Sequence, residues 1–288
     1  MKLLNWIGAA IVTLGLISVP AKADTIRFAV TDVEGMEQLQ REYGAFVQEL
    51  EKATGHTIEF SPVSNRTAAV EAMRAKQVDF VLTGPAEYVI FRKLTDAKPV
   101  VGWQRPDYFA QIVVMADGPI KSMADLKGKK VAFGEVGSTS QHLGPAQVLA
   151  DAGLAYNADY TAEIIKRNVA IEAMIRGDIQ ASGMNLTHLR SVREKFPDAK
   201  FAVVGRGPDL PNDILIVASY VPESVVESVK KAFTDKGAEL MTGVLQGDDT
   251  KKYEGGHFLA SVEDKDYEPV RLMYATIGVP QFSGFLGE

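Results

Sequence analysis

Residues 131–145 read Val-Ala-Phe-Gly-Glu-Val-Gly-Ser-Thr-Ser-Gln-His-Leu-Gly-Pro. The stretch holds a short strand at Val131–Phe133, a glycine turn, three consecutive hydroxyl side chains, and the start of a helix that runs to Gly153. A helix start offers backbone N–H groups without intrahelical partners and a partial positive charge, and Ser or Thr beside them adds neutral donors. The arrangement therefore suits an oxyanion. It also suits a plain N-cap, the usual role of a Ser/Thr cluster after a strand.

Outward from that point, strands and helices alternate. Toward the N-terminus, Ile26, Phe28 and Val30 alternate as a strand. Leu39, Tyr43, Phe46, Val47 and Leu50 then recur at helical spacing until Gly55. Thr57–Phe60 reads as a second strand, Asn65 as the cap of a helix through Val70 and Met73, and Val78–Leu82 as a buried third strand ending at the Gly84 turn. Ser122 caps a short helical turn before the strand at Val131.

Beyond residue 153 the pattern continues with a helix from about Asn168 to Arg176, strands at Ile179–Ser182, Phe201–Val204 and Ile214–Ala218, and an amphipathic helix at Pro222–Gly237. Such alternation implies two α/β units, each with a parallel sheet covered by helices. With no linker-like segment between them, the units are expected to be lobes joined by crossing strands around a cleft, where ligands bind beyond the carboxyl ends of strands.

Residues 1–23 have the form of a secretory signal, with Lys2, an apolar run from Leu3 to Val19, and Ala21-Lys22-Ala23 before Asp24. The run is short for a bilayer core of roughly 30 Å, and Gly8, Gly15 and Pro20 interrupt or end it. Cleavage removes two lysines and no acid, which makes the net charge of −6 more negative. An acidic chain disfavours nucleic acid, which needs a basic face. Any anion pocket must then be local and built from dipoles. Zero Cys excludes disulfides and thiolate chemistry, so stability rests on the core that 46% hydrophobic residues can form.

Several separated segments together resemble the periplasmic phosphonate-type solute-binding proteins of ABC transporters, whose relatives take up phosphonates, phosphite and hypophosphite. They are residues 77–88 (Gln-Val-Asp-Phe-Val-Leu-Thr-Gly-Pro-Ala-Glu-Tyr), 126–133 leading to Ser138, Thr139 and Ser140, Leu210-Pro211-Asn212-Asp213, and residues 266–271. The resemblance implies a type II periplasmic binding protein fold, with two α/β lobes, a central cleft and two crossover strands. The expected division is a signal peptide at 1–23, lobe 1 at 24–115, lobe 2 at 116–206, and a return to lobe 1 with C-terminal helices at 207–288.

The same resemblance implies the site. Ser138, Thr139 and Ser140 would donate hydroxyl and amide hydrogen bonds to phosphorus-bound oxygens, and Tyr88 would reach those oxygens from the other lobe. Where the family commonly carries a His, this chain has Arg167 or Asn168; an Arg there would bring two parallel charge-assisted donors. An acid in the region of Asp213 holds the ammonium of aminated phosphonates in relatives, or else serves a turn or hinge. The loop Thr31–Gly35 lines the cleft in the family but is acidic here; either its acids face solvent, which is the expectation, or the ligand has a cationic end. His142 either leans into the cleft or sits on the helix surface.

The function implied is a carrier, not an enzyme. It captures a small phosphorus oxyanion by lobe closure and presents it to an inner-membrane ABC permease and ATPase, as a monomer in the periplasm. The alternative is an oxyanion-sensing subunit of a signalling receptor. No Gly-x-Ser-x-Gly elbow, zinc signature or phosphate loop ending in Lys-Ser or Lys-Thr is present, and no cofactor or metal is expected.

Overall fold

In the computed structural model the described residues are 24–33 and 35–281. The segment read as a signal, Glu34 of the first loop, and residues 282–288 lie outside them.

The first helical unit opens with β1 (Thr25–Val30), α1 (Met36–Thr54), β2 (Thr57–Phe60), α2 (Arg66–Arg74), β3 (Phe80–Thr83), α3 (Pro85–Thr95) and β4 (Lys98–Trp103). Helix α1 buries Leu39, Tyr43, Phe46, Val47 and Leu50, the face its spacing predicts. It stops at Gly55, whose φ of +72° lets its N–H close on the Glu51 carbonyl at 2.8 Å. Asn65 caps α2 by accepting from the Ala68 amide at 2.7 Å.

Next come β5 (Phe109–Met115), β6 (Lys130–Phe133), a π-helical turn (Thr139–Leu143) running into α4 (Gly144–Asp151), β7 (Thr161–Ile164), α5 (Arg167–Arg176), β8 (Ala181–Met184), α6 (Leu186–Lys195) and β9 (Phe201–Asp209). The chain finishes with β10 (Asp213–Val217), α7 (Glu223–Asp235), α8 (Gly237–Val244), β11 (Phe258–Leu259) and α9 (Glu268–Thr276).

Two mixed sheets result. One has the order β11-β4-β10-β3-β1-β2, the other β7-β6-β8-β5-β9. In the first, β1 runs parallel to β2 and β3, while β10 is antiparallel to β3 and β4. In the second, β6 runs parallel to β7 and β8, while β5 is antiparallel to β8 and β9. Each lobe thus has a parallel half built from βαβ units and an antiparallel half built from strands near the crossings.

The chain leaves the first sheet after Trp103, enters the second at Phe109, and returns between Asp209 and Asp213. Strand β5, grouped with lobe 1 by a division at residue 115, pairs in the second sheet, and β9 carries that sheet past residue 206. The two connections bind each other: the Leu210 amide donates to the Tyr108 carbonyl at 2.8 Å, and the Arg105 amide donates to Asn212 Oδ1 at 2.9 Å.

Helices cover both faces of each sheet. In the first lobe Trp103 is fully buried, with edge contacts to Phe46, Tyr253 and Phe258 at 5.0–5.4 Å between ring centres. Helix α9 packs on α4 of the second lobe and on α3 of the first, where Tyr274 Oη donates to the Ala86 carbonyl at 3.1 Å.

Candidate functional site

Four helices begin at the facing edges of the two sheets, because four parallel-half strands end there. Strand β2 delivers Asn65 and Arg66, β3 delivers Gly84 and Glu87, β6 leads to Ser138–Gln141, and β8 leads to His188. These residues line one cavity of about 350 Å³ between the lobes. Thr31 and Asp32 from the end of β1, Arg105 and Tyr108 from the outgoing connection, Asp213 from the start of β10, and Lys252 complete it.

The hydroxyl tip is the centre of the site. Gly137, at φ +77°, turns the chain into the helix that Ser138 opens, yet the Ser138 side chain makes no capping bond. The plain N-cap reading of this side chain is not realised. Thr139 and Ser140 are each 4% exposed. Thr139 Oγ1 accepts from the Ala86 amide of the opposite lobe at 3.0 Å, and Ser140 Oγ accepts from Asn185 Nδ2 at 3.0 Å. With an acceptor lone pair of each oxygen already engaged by an N–H, both keep an O–H to donate. Burial pushes the neighbouring Tyr108 phenol up to about 12, so it too stays a neutral donor.

Charges ring this tip in pairs. Asp213, 2% exposed, takes Arg105 at 3.3 Å, Lys252 at 3.5 Å and the Tyr253 hydroxyl at 2.8 Å. Lys252 also reaches Asp32 at 3.3 Å. Arg66 lies 2.5 Å from Glu87 on its own lobe and extends across the cleft to Glu135 at 2.7 and 3.0 Å. Burial alone would raise the Asp32 carboxyl, but Lys252, Arg66 and Arg105 bring it below the ordinary carboxylate range. A Cβ at Gly84 would sit 2.6 Å from Glu87 Oε2, so the glycine lets that carboxylate end lie against the turn.

Of the residues expected from sequence, Ser138, Thr139, Ser140 and Asp213 come together in this cavity. Asp213 serves first as the counter-charge for Arg105 and Lys252, which its position at the end of a crossing explains. Tyr88 does not reach the cleft. It is fully buried, its ring 4.5 Å from that of Tyr267, and its hydroxyl donates to Asp264 at 2.6 Å. The apolar face of α3 carries it into the core, one step round from Glu87, which takes the cleft position instead.

His142 is neither in the cleft nor on the surface. At 3% exposure it lies behind the tip, where Nδ1 accepts from the Gly137 amide at 3.1 Å and Nε2 bonds to the Tyr156 hydroxyl at 2.8 Å. Burial lowers it to about 4, so the ring is neutral and shapes the turn. Asn168 is exposed on α5.

Arg167 stands one layer back from the cavity. Its Nη2 donates to Gln141 Oε1 at 3.1 Å, and its Nε finds no hydrogen-bond partner among the described residues. Asp32 lines the cavity from the end of β1 and is also exposed to solvent there, its side chain 41% exposed. The sequence reading missed Arg66, Glu87, Arg105, Glu135, His188 and Lys252. Arg66 and Glu87 follow strand ends and so carried a positional signal, whereas nothing local marks Lys252.

Over residues 28–270 the chain matches the family described as ABC transporter, phosphonate, periplasmic substrate-binding protein. It is 33% identical over 138 residues to the phosphate-import protein PhnD of Mycolicibacterium smegmatis, an alignment covering 46% of this chain and 43% of that protein. It is 23% identical over 235 residues to the phosphonates-binding periplasmic protein of Escherichia coli K12, covering 76% of this chain and 69% of that one. Its fold resembles that of PhnD1 from Prochlorococcus marinus, solved in complex with methylphosphonate, with a TM-score of 0.68 at 18% identity over 88% of this chain and 98% of that one. The architecture is that of the type II periplasmic binding proteins.

Proposed function

The chain belongs to the phosphonate-type periplasmic substrate-binding proteins of ABC transporters, and from that premise we propose that it captures a small phosphorus oxyanion, such as a phosphonate or phosphite, between its lobes and delivers it to an inner-membrane permease and its ATPase. The protein is a carrier exported to the periplasm and acts as a monomer. The ligand sits against Ser138, Thr139 and Ser140, receiving their hydroxyl and backbone donors.

The observation that carries this reading is the state of the Thr139 and Ser140 hydroxyls. Each has an N–H donor on its acceptor side, at 3.0 Å in both cases, so each keeps its O–H to donate, Thr139 at the cavity wall and Ser140 beside the Tyr108 phenol with which it hydrogen-bonds. Neutral donors in a dry cavity bind an oxyanion strongly, because low local dielectric strengthens every bond. A ligand that touches this tip and the first lobe contacts both only in the closed form, and so shifts the population toward closure. Asp213 and Arg167 serve as supports around it, the first by holding Arg105 and Lys252, the second by orienting Gln141.

A thermal-shift panel of phosphite, methylphosphonate, an aminoalkylphosphonate, phosphate, sulfate and methanesulfonate tests the reading. At least one phosphorus oxyanion is expected to raise Tm by mass action, corresponding to about 2.7 kcal/mol at a concentration of 100 Kd. No shift with any phosphorus oxyanion, or equal shifts in the double variant Thr139→Ala/Ser140→Ala, would overturn it.

A further inference from the structure

Four carboxylates and three cations line the cavity, and the shortage of positive charge falls on Glu87. Asp213 holds Arg105 and Lys252, and Lys252 also serves Asp32. Arg66 alone must serve both Glu87 and Glu135. Its two terminal nitrogens go to Glu135, at 2.7 and 3.0 Å. Only Nε faces Glu87, at 2.5 Å, and it is not aligned as a hydrogen bond. Glu135 is 64% exposed and keeps water, whereas the Glu87 side chain is 5% exposed. Glu87 is therefore a buried carboxylate with one shared, poorly directed counter-charge.

The residue before it, Ala86, already touches Thr139 across the cleft. An oxyanion at the hydroxyl tip adds negative charge to the same enclosed space, where two facing anions repel strongly unless a proton comes between them.

Resting on the site proposed above, we propose that Glu87 is itself a ligand-binding residue: it takes up a proton as the phosphorus oxyanion enters, and its carboxylic O–H donates to a ligand oxygen. No bond other than O–H is made, and the proton comes from solvent. Burial, opposed by Arg66 and assisted by Asp32 and Asp213, already holds this carboxyl up to about 7, so the proton is readily taken near neutrality.

Other groups facing it do not substitute. His188 is pushed down to about 2 by burial and by the charges of Arg167, Arg105 and Lys252, Tyr108 remains a phenol, and burial also raises Tyr274 of α9. Asp32, held below its ordinary value, stays ionised.

The experiment is calorimetry of phosphite and of methylphosphonate at pH 6.5 and 8.5, in buffers of differing ionisation enthalpy, on wild type and Glu87→Gln. Using the same ligand for both proteins cancels its own ionisation. At pH 8.5 wild type is expected to take up close to one proton more than the variant, and its affinity relative to the variant falls roughly tenfold or more between the two pH values. A protonated-carboxyl band should also appear in the infrared difference spectrum of wild type on ligand addition. Equal proton counts with a constant affinity ratio overturn the proposal while leaving the site intact. If the variant does not fold, absence of that band in wild type overturns it. Failure of both anions to bind either protein sinks the site reading, and this proposal with it.

Discussion

Arg66 of the first lobe holds both carboxylate oxygens of Glu135 in the second, Nη1–Oε1 at 2.7 Å and Nη2–Oε2 at 3.0 Å, so one bidentate ion pair ties the mouth of the cleft. This contact needs no ligand. It biases the lobes toward the closed form that a bound oxyanion also selects.

Glu135→Gln should therefore weaken ligand binding without touching the ligand. Because Glu135 is 64% exposed, solvent screens the pair, and a loss below about 1 kcal/mol, up to roughly fivefold in Kd, is expected. The difference from wild type should shrink at high salt. Small-angle scattering of the unliganded variant should show a larger radius of gyration than wild type, and identical scattering curves would remove the latch.

Thr139 accepts from the Ala86 amide and, in the proposed site, also donates to the ligand. Thr139→Ala should cost about 1–3 kcal/mol of binding, the range for leaving buried polar groups short of a partner, while Thr139→Ser should stay within a few-fold of wild type. Calorimetry on both variants decides it. Unchanged affinity in Thr139→Ala would mean that the tip does not hold the anion.

Tyr88→Phe should separate stability from binding. The hydroxyl donates to Asp264, which Arg271 also contacts at 2.7 Å, so the variant should lose about 1 kcal/mol of stability and keep its affinity within about twofold. A tenfold loss of affinity in a variant of normal Tm would put this phenol back at the ligand.

His142 predicts acid lability. Burial lowers its folded value to about 4, below the unfolded value, so the neutral ring contributes stability that is fully present above pH 6.5 and is lost as pH falls through 4. The contribution is on the order of 3 kcal/mol. In a Tm profile from pH 7 to 4, His142→Gln should start lower than wild type and fall less steeply, whereas parallel profiles would refute the linkage.

Much of the fold was legible because local rules and burial agreed. The helical spacing of α1, its stop at Gly55 and the Asn65 cap all formed as read. Boundaries moved where a strand had no alternation to mark it: the strand read at Ile179–Ser182 runs Ala181–Met184, and β9 continues from Val204 to Asp209. Strands β4 and β5 went unread. They are nearly continuous apolar runs buried on both faces, and such runs carry no period that separates strand from buried helix.

The chain by itself determined that two α/β units would form and that a hydroxyl-rich helix start would follow a strand end, since periodicity and capping are written within a few residues. Only the tertiary structure decided which side chains meet there. Tyr88 turned into the core while Glu87 beside it took the cleft. Lys252 arrived beside Asp213 from a distant turn, and Arg66 found Glu135 across the gap. Those pairings depend on lobe packing and on the balance of buried charge, which are sums over residues far apart in sequence and leave no mark on any one segment.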